Sequence, residues 1–272
     1  MFRFLVVVAV ITMLVSCTVT HRMAKANEYT LESVRASLIQ QEDTIIFSLI
    51  ERARFPLNSP TYQQNYSSVL NFSGSLFDFI LHQTEDIQAK TGRYMNPEEN
   101  PYQENLSPSI IPHYNFSKFL HHAAASININ KNIRKIYFND ILPLFIASGD
   151  DGNYAQTAAN DLTVLQAISK RIHYGKFVAE TKFRKSPRDY KPLIRVKDRE
   201  ALMKLLVDKR VEKMVLKRVE KKAMVFGQEV SLDPNVKGKY KVDPSIVYSL
   251  YKKWIIPMTK DVEVEYLLRR LD

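Results

Sequence analysis

Three features of this 272-residue chain predict an all-α fold. Apolar residues recur at helical spacing in several long segments. No segment alternates polar and apolar residues for more than a few positions, as a half-buried strand would. The chain also holds only seven glycines, too few for a turn-rich β-sandwich. With 45% hydrophobic and 25% charged residues it can bury a sizeable core.

The elements follow in order. Thr30 can cap a first helix that carries Glu32 in its opening turn and ends near Arg54, before Pro56. Its apolar positions are Leu31, Val34, Leu38, Ile45, Ile46 and Leu49. A second helix runs from Gly74 to Lys90, with Leu76, Phe79, Ile80 and Ile87 at helical intervals. Residues 91–116 are rich in Pro, Asn and Tyr and are expected to be mostly loop. Ile127 to Ile146 is expected to be helical with a break or kink at Pro143, and Gly149 to Asn153 to be a turn. Asp161 to Lys185 keeps the helical period through Leu162, Leu165, Ile168, Ile172 and Val178. Arg199 to about Phe226 reads as one long charged helix, followed by a Gly- and Lys-rich loop over 227–242. The last helix starts at Asp243-Pro244, an N-cap followed by proline, and Pro257 is expected to kink it.

Residues 1–26 differ from the rest. Arg3 precedes an almost unbroken apolar run from Phe4 to Val15, too short to span a bilayer but suited to a secretory signal. Small-residue exits follow at Val15-Ser-Cys17 and Ala24-Lys-Ala26, so the expected organisation is a leader over 1–26 and one domain over 27–272. Sequons at Asn65, Asn71, Asn105 and Asn115 fit passage through the secretory pathway. The rival reading is translation from Met23, which would leave a cytoplasmic chain.

Several functions are set aside on composition. The glycines form no dinucleotide-binding fingerprint and no P-loop. The lone Cys17 excludes a disulfide framework and a Cys-based zinc site, and no HExxH occurs. No metal or cofactor is expected. His121-His122 has no carboxylate at ligand spacing. The net charge of +10 suits either solvated lysine-rich faces or an anionic partner. A basic helical nucleic-acid binder would rest on that charge alone, and neither nucleic acid nor membrane is expected as a partner once the leader is removed.

Two residue pairs could carry chemistry. On one helix Arg171 and Lys182, eleven residues apart, would point within about 20° of each other and roughly 16 Å apart along the axis. That suits a clamp for a small anion between them, or two ordinary surface cations. Thr259 and Glu263 form an i, i+4 pair just after Pro257, beside the expected kink, or on a plain polar face. Arg35 falls near the apolar stripe of the first helix. These residues alone support a helical domain that binds an acidic small molecule.

Longer stretches go further. Val34 to Ala53 (VRASLIQQEDTIIFSLIERA), Gly149 to Tyr154 (GDDGNY), Ile168 to Phe183 (ISKRIHYGKFVAETKF) and Pro257 to Asp272 (PMTKDVEVEYLLRRLD) resemble the all-helical chorismate mutases of plants and yeast. The likeness runs in order from about Thr30 to Asp272, and the last two blocks are the most specific. It is strongest to the plant cytosolic kind, which lacks a leader. The resemblance implies a homodimeric, cofactor-free isomerase that rearranges chorismate to prephenate, the branch step toward Phe and Tyr. It implies Arg35 and Arg171 as carboxylate clamps, Lys182 as donor to the breaking ether oxygen, and a protonated Glu263 as a second donor. Thr259 would contact a carboxylate and Glu212 the substrate hydroxyl. Asp208 stands where some relatives carry Asn, in the local departure Leu206 to Val211.

Regulated relatives bind aromatic amino acids at a dimer interface through a Gly-Ser-x-x-Thr-like run after the Gly-Asn-Tyr segment. Here the run is Ala155-Gln-Thr-Ala-Ala159, following Asn153, and an arginine pair of the yeast type is Gly92-Arg93. The larger Ala155 and Gln156 would crowd such a ligand, so weak regulation is expected although Arg93 is kept. The alternative to an enzyme is a secreted interaction or effector protein of the same fold.

Overall fold

A computed structural model describes residues 29–64, 72–116, 118–229 and 239–272. The leader with Cys17, the sequons at Asn65 and Asn71, and most of the 227–242 segment lie outside the described residues. Asn105 and Asn115 are described and exposed. Ten α-helices and no strand occur among the described residues; a single antiparallel bridge pairs Gln228 with Tyr240.

Helix α1 (Leu31–Arg52) starts at a reciprocal cap, where Thr30 Oγ1 accepts from Ser33 N (3.1 Å) and Ser33 Oγ from Thr30 N (2.9 Å). Helix α2 (Leu76–Lys90) has the same device in Ser75 and Asp78. The following loop is held by one buried carboxylate. Glu85 accepts from the backbone N–H of Tyr102 (2.9 Å) and Gln103 (2.8 Å) and from the Tyr94 hydroxyl (3.0 Å). A loop with few backbone pairs of its own therefore acquires partners at one point.

The helical path expected over Ile127 to Ile146 begins only at Asn130 and changes form before it reaches Pro143. Helix α3 spans Asn130–Ile136, widens into a π-turn over Tyr137–Ile141 and tightens into a 3₁₀ turn over Leu142–Leu144. Pro143 lies in that 3₁₀ turn, and its missing N–H leaves no helical bond to make. The turn that follows is as expected: Gly149 and Gly152 take positive φ, and Asp150 Oδ1 accepts from Gly152 N at 2.9 Å.

Helices α4 (Tyr154–His173) and α5 (Gly175–Lys185) meet at Tyr174, so the segment read as a single helix is two. Helix α6 (Pro187–Arg195) was not anticipated, although Pro187 occupies its first turn, where proline is tolerated. The long helix expected over 199–226 is also two, α7 (Arg199–Leu206) and α8 (Lys209–Gly227). Val207 is extended, and Asp208 Oδ1 accepts from the N–H groups of Arg210 and Val211, both at 3.1 Å. That is an N-cap in the middle of a charged stretch whose periodicity conceals the break. Helix α9 (Pro244–Leu250) is capped by Asp243 and passes through a π-turn, Tyr251–Ile255, into α10 (Ile256–Leu268). The π-turn ends two residues before Pro257, which lies in the first turn of α10, where proline is tolerated.

Helix α4 lies at the centre, with α1 and α2 packed on it, while α10 packs on α4, α5 and α7. Ile45, Leu49, Leu165, Ile168, Ile172, Val262 and Leu267 are fully or almost fully buried in the shared core. A buried polar knot stitches α1 to α4: Arg52 Nε and the Tyr137 hydroxyl each reach Asp161 Oδ1 at 2.6 Å, and Tyr62 donates to the other carboxylate oxygen. Every member is paired, which is the condition for a charge to be kept there. No helix among the described residues is long and apolar enough to cross a membrane.

Candidate active site

A cleft of about 640 Å³ opens where α1, α4, α5, α7, α8 and α10 converge. Arg35, Arg171, Lys182, Asp208, Glu212, Thr259 and Glu263 all line it. The sequence separates the first and last of these by more than 200 positions, and the fold brings them together.

Each side chain is placed by a local feature. Arg35 lies one turn into α1, exposed at the mouth. Arg171 sits in the last turn of α4, only 5% exposed. Its guanidinium lies 6.0 Å from the centroid of the Tyr251 ring and donates to Thr259 Oγ1 at a long 3.4 Å, while its Nε has no hydrogen-bond partner. No carboxylate pairs with it among the described residues. A buried guanidinium with an idle donor is ready for an anion that brings its own acceptors.

Lys182 projects from α5 and donates to the Leu206 carbonyl (3.2 Å) and to Glu263 Oε2 (3.1 Å). Glu263, on α10, is buried, and burial raises its pKa above the usual carboxylate value. Lys182, Arg171 and Lys260 oppose that rise without cancelling it. Thr259 lies one turn earlier and donates to the Ile255 carbonyl at 2.6 Å. Glu212, near the start of α8, pairs with Lys260 at 2.5 Å.

The cleft depends on a close helix approach. A Cβ built on Gly175 would lie 2.7 Å from the Thr259 carbonyl and 3.3 Å from Glu263 Cγ. Only glycine lets the α4–α5 junction sit this near to α10. Arg171 and Lys182 lie on successive helices and both line the cleft; Tyr174 between them keeps right-handed helical backbone angles, φ −62° and ψ −13°.

Sequence reasoning missed Lys260, Tyr190, Lys185 and Lys209, which also line the cleft. Lys260 was within reach, since it lies three residues before Glu263. Tyr190 belongs to the unanticipated α6. Six basic and four acidic side chains face the space in all.

The sequence match decides the family. The chain is 57% identical to chorismate mutase 2 of Arabidopsis thaliana over 252 residues, covering 91% of this chain and 95% of the relative. The chain belongs to the chorismate mutase family. Chorismate mutase 2 of Petunia hybrida is 56% identical, with 90% and 95% covered. The family model described as chorismate mutase type II matches residues 153–264, which include every lining residue named above except Arg35. Among solved structures, AtCM1 with phenylalanine bound in its allosteric site matches with a TM-score of 0.83 and 48% identity, covering 89% of this chain and 97% of that one. The chloroplast chorismate mutase of Zea mays matches with a TM-score of 0.82 and 47% identity, covering 89% and 96%.

The positions expected to correspond to a chorismate mutase effector site are not joined within this chain. Arg93 pairs with Glu99 at 2.9 Å and donates to Gln166 at 2.7 Å. Asn153, Ala155 and Gln156 are exposed at the start of α4. Gln166 is ten residues further along that helix, roughly 15 Å away. The rings of His121 and His122 lie 4.0 Å apart, centroid to centroid, tilted by 46°, and no group of three or more metal-ligating side chains occurs among the described residues.

Proposed function

We propose that this chain rearranges chorismate to prephenate in the cleft that gathers Arg171, Lys182 and Glu263. The observation that carries the reading is the buried, unpaired Arg171 facing a Lys182–Glu263 pair across one basic cleft, in a chain 57% identical to a chorismate mutase. Chorismate is a flexible dianion. Its rearrangement breaks one C–O bond and forms one C–C bond within the same molecule, with no covalent intermediate. The protein must therefore hold the chair-like conformer and stabilise negative charge growing on the ether oxygen.

Arg35 and Arg171 take the two carboxylates, Arg171 through the donors it leaves idle. Thr259 adds a contact to a carboxylate, and Glu212 receives the substrate hydroxyl. Lys182 donates to the ether oxygen. Glu263 donates to the same oxygen in its protonated form, which burial favours. Asp208 lines the cleft, but its carboxylate already caps α8, so any role toward substrate is secondary to that cap.

The working unit is proposed to be a homodimer. Relatives include a cytosolic protein of Zea mays and chloroplastic proteins of Petunia and Arabidopsis. That range favours the cytoplasmic reading from Met23 over secretion; N-terminal sequencing of the mature protein decides, with a start at residue 18 or 27 marking a cleaved leader. The activity is tested by incubating the purified chain with chorismate and following both compounds by NMR. Prephenate must accumulate as chorismate disappears. An inert protein would favour a binding or effector role for the same fold.

A further inference from the structure

A second cleft, about 990 Å³, lies outside the proposed active site. The 94–101 loop, residues 113–116 and 118–128, and one face of α5 line it, and the end of the chain contributes Arg270. At its base is Lys176, 3% exposed. Its ammonium donates to Asn100 Oδ1 at 2.8 Å and reaches the Ala124 carbonyl only at 3.5 Å. An ammonium has three donors, so at least one is left without an acceptor here. No carboxylate lies within ion-pair distance of it among the described residues. Burial alone pushes its pKa down to about 8.

Buried charges are ordinarily paired, because the cost of dehydrating them must be offset. The rest of the cleft does not supply the missing charge. Glu99 is the one acidic side chain among its described lining residues, and it is held by Lys170 (2.8 Å) and Arg93 (2.9 Å). Arg184 and Arg270 share a single buried carboxylate, Glu180, which leaves a further positive charge at the rim. Flat rings complete the wall: Tyr94, Phe119 and the adjoining His121 and His122. The described residues of the cleft thus offer Lys176 no full ionic partner, and the surroundings suit a ligand that brings a carboxylate and a ring.

We propose that this cleft is a ligand site separate from the active site, taking a small aromatic monocarboxylate whose carboxylate binds Lys176. The ring packs against the Tyr94 and His122 side of the wall. Acidic macromolecules fit less well, because the charge to be met lies at the base of the cleft and not on an exposed surface.

Isothermal titration calorimetry with benzoate tests the site. Benzoate is expected to bind with a Kd of about 0.1–1 mM, as suits so small a ligand. Benzamide, with the ring but no charge, and cyclohexanecarboxylate, with the charge but no aromatic ring, are each expected to bind at least tenfold more weakly. Lys176→Met keeps the length of the side chain and removes the ammonium. It is expected to lower benzoate affinity at least tenfold while kcat/KM for chorismate stays within twofold. Arg171→Ala is expected to leave benzoate affinity unchanged, which separates this cleft from the active site. Should Lys176→Met fail to fold, His122→Ala removes an exposed ring and is expected to weaken benzoate severalfold. No saturable binding up to about 10 mM, far above that range, overturns the proposal. So does affinity unaltered by Lys176→Met, or by His122→Ala where that variant stands in, and so does binding lost in Arg171→Ala.

Discussion

Gly175 and Thr259 come so close that a methyl group on the first would lie 2.7 Å from the carbonyl oxygen of the second. The obstacle is backbone, so no rotamer change relieves it. Gly175→Ala must push α10 away from the α4–α5 junction, and with it Thr259 and Glu263. Overpacking of this kind costs about 1–3 kcal/mol. The expected result is a lower thermal midpoint together with a loss of kcat larger than the stability change explains. Thermal unfolding and steady-state kinetics on the same preparation check both. Wild-type kinetics in a folded Gly175→Ala would show that this approach does not position the site.

Arg171 is the most sharply posed of the clamps, being buried, unpaired and beside the Tyr251 ring. Arg171→Ala is expected to lower kcat/KM by about 10²–10³-fold, the loss of a charge-assisted carboxylate contact in the transition state. Arg171→Lys is expected to recover only part of this, because an ammonium lacks the planar fork. Arg35→Ala acts in the same direction from the exposed mouth. Near-normal turnover in Arg171→Ala would remove the site assignment.

Regulation by aromatic amino acids is expected to be weak. A structural relative from Candida albicans is described in complex with L-Trp, and AtCM1 has phenylalanine in its allosteric site. Here Ala155 and Gln156 add bulk at the positions expected to be small, and Arg93 is occupied by Glu99 and Gln166. Rates measured with Trp, Tyr or Phe at millimolar concentration are expected to stay within twofold of the free enzyme. A severalfold change would contradict this.

Much of this molecule could be read from its residues. Thr30, Asp243 and the Gly149–Asn153 turn work as their side-chain chemistry predicts, because caps and tight turns are settled within a few residues. The seven substrate-side positions are legible only through the resemblance, because the spacing of Arg171 and Lys182 suits two surface cations as well as an anion clamp. The breaks were harder. Val207-Asp208 interrupts a stretch whose charges and apolar residues continue in helical phase on both sides, so periodicity has nothing to register. The π-turns at Tyr137 and Tyr251 add one residue to a turn without altering composition. Helix α6 is short and carries a second proline, Pro192, which masks it. The Gly175 approach and the buried charge of Lys176 depend on what lies across the packed interface, which local sequence does not encode.

The central claim is that Glu263 acts as a neutral donor at the breaking bond. Its pKa is raised by burial, so the protonated fraction falls as pH climbs through that raised value, and activity falls with it. The same shift has a stability consequence. Between the usual carboxylate pKa and the raised one, the folded protein holds a proton that the unfolded chain has lost, so stability also declines as pH rises across that window. The decisive measurement is the pH profile of kcat for wild type, Glu263→Gln and Glu263→Ala. An amide is nearly isosteric and donates at every pH. Glu263→Gln is therefore expected to keep substantial activity and to lose the alkaline decline, while Glu263→Ala is poor throughout. Equal behaviour of the Gln and Ala variants, or an alkaline decline that persists in Glu263→Gln, would contradict the account.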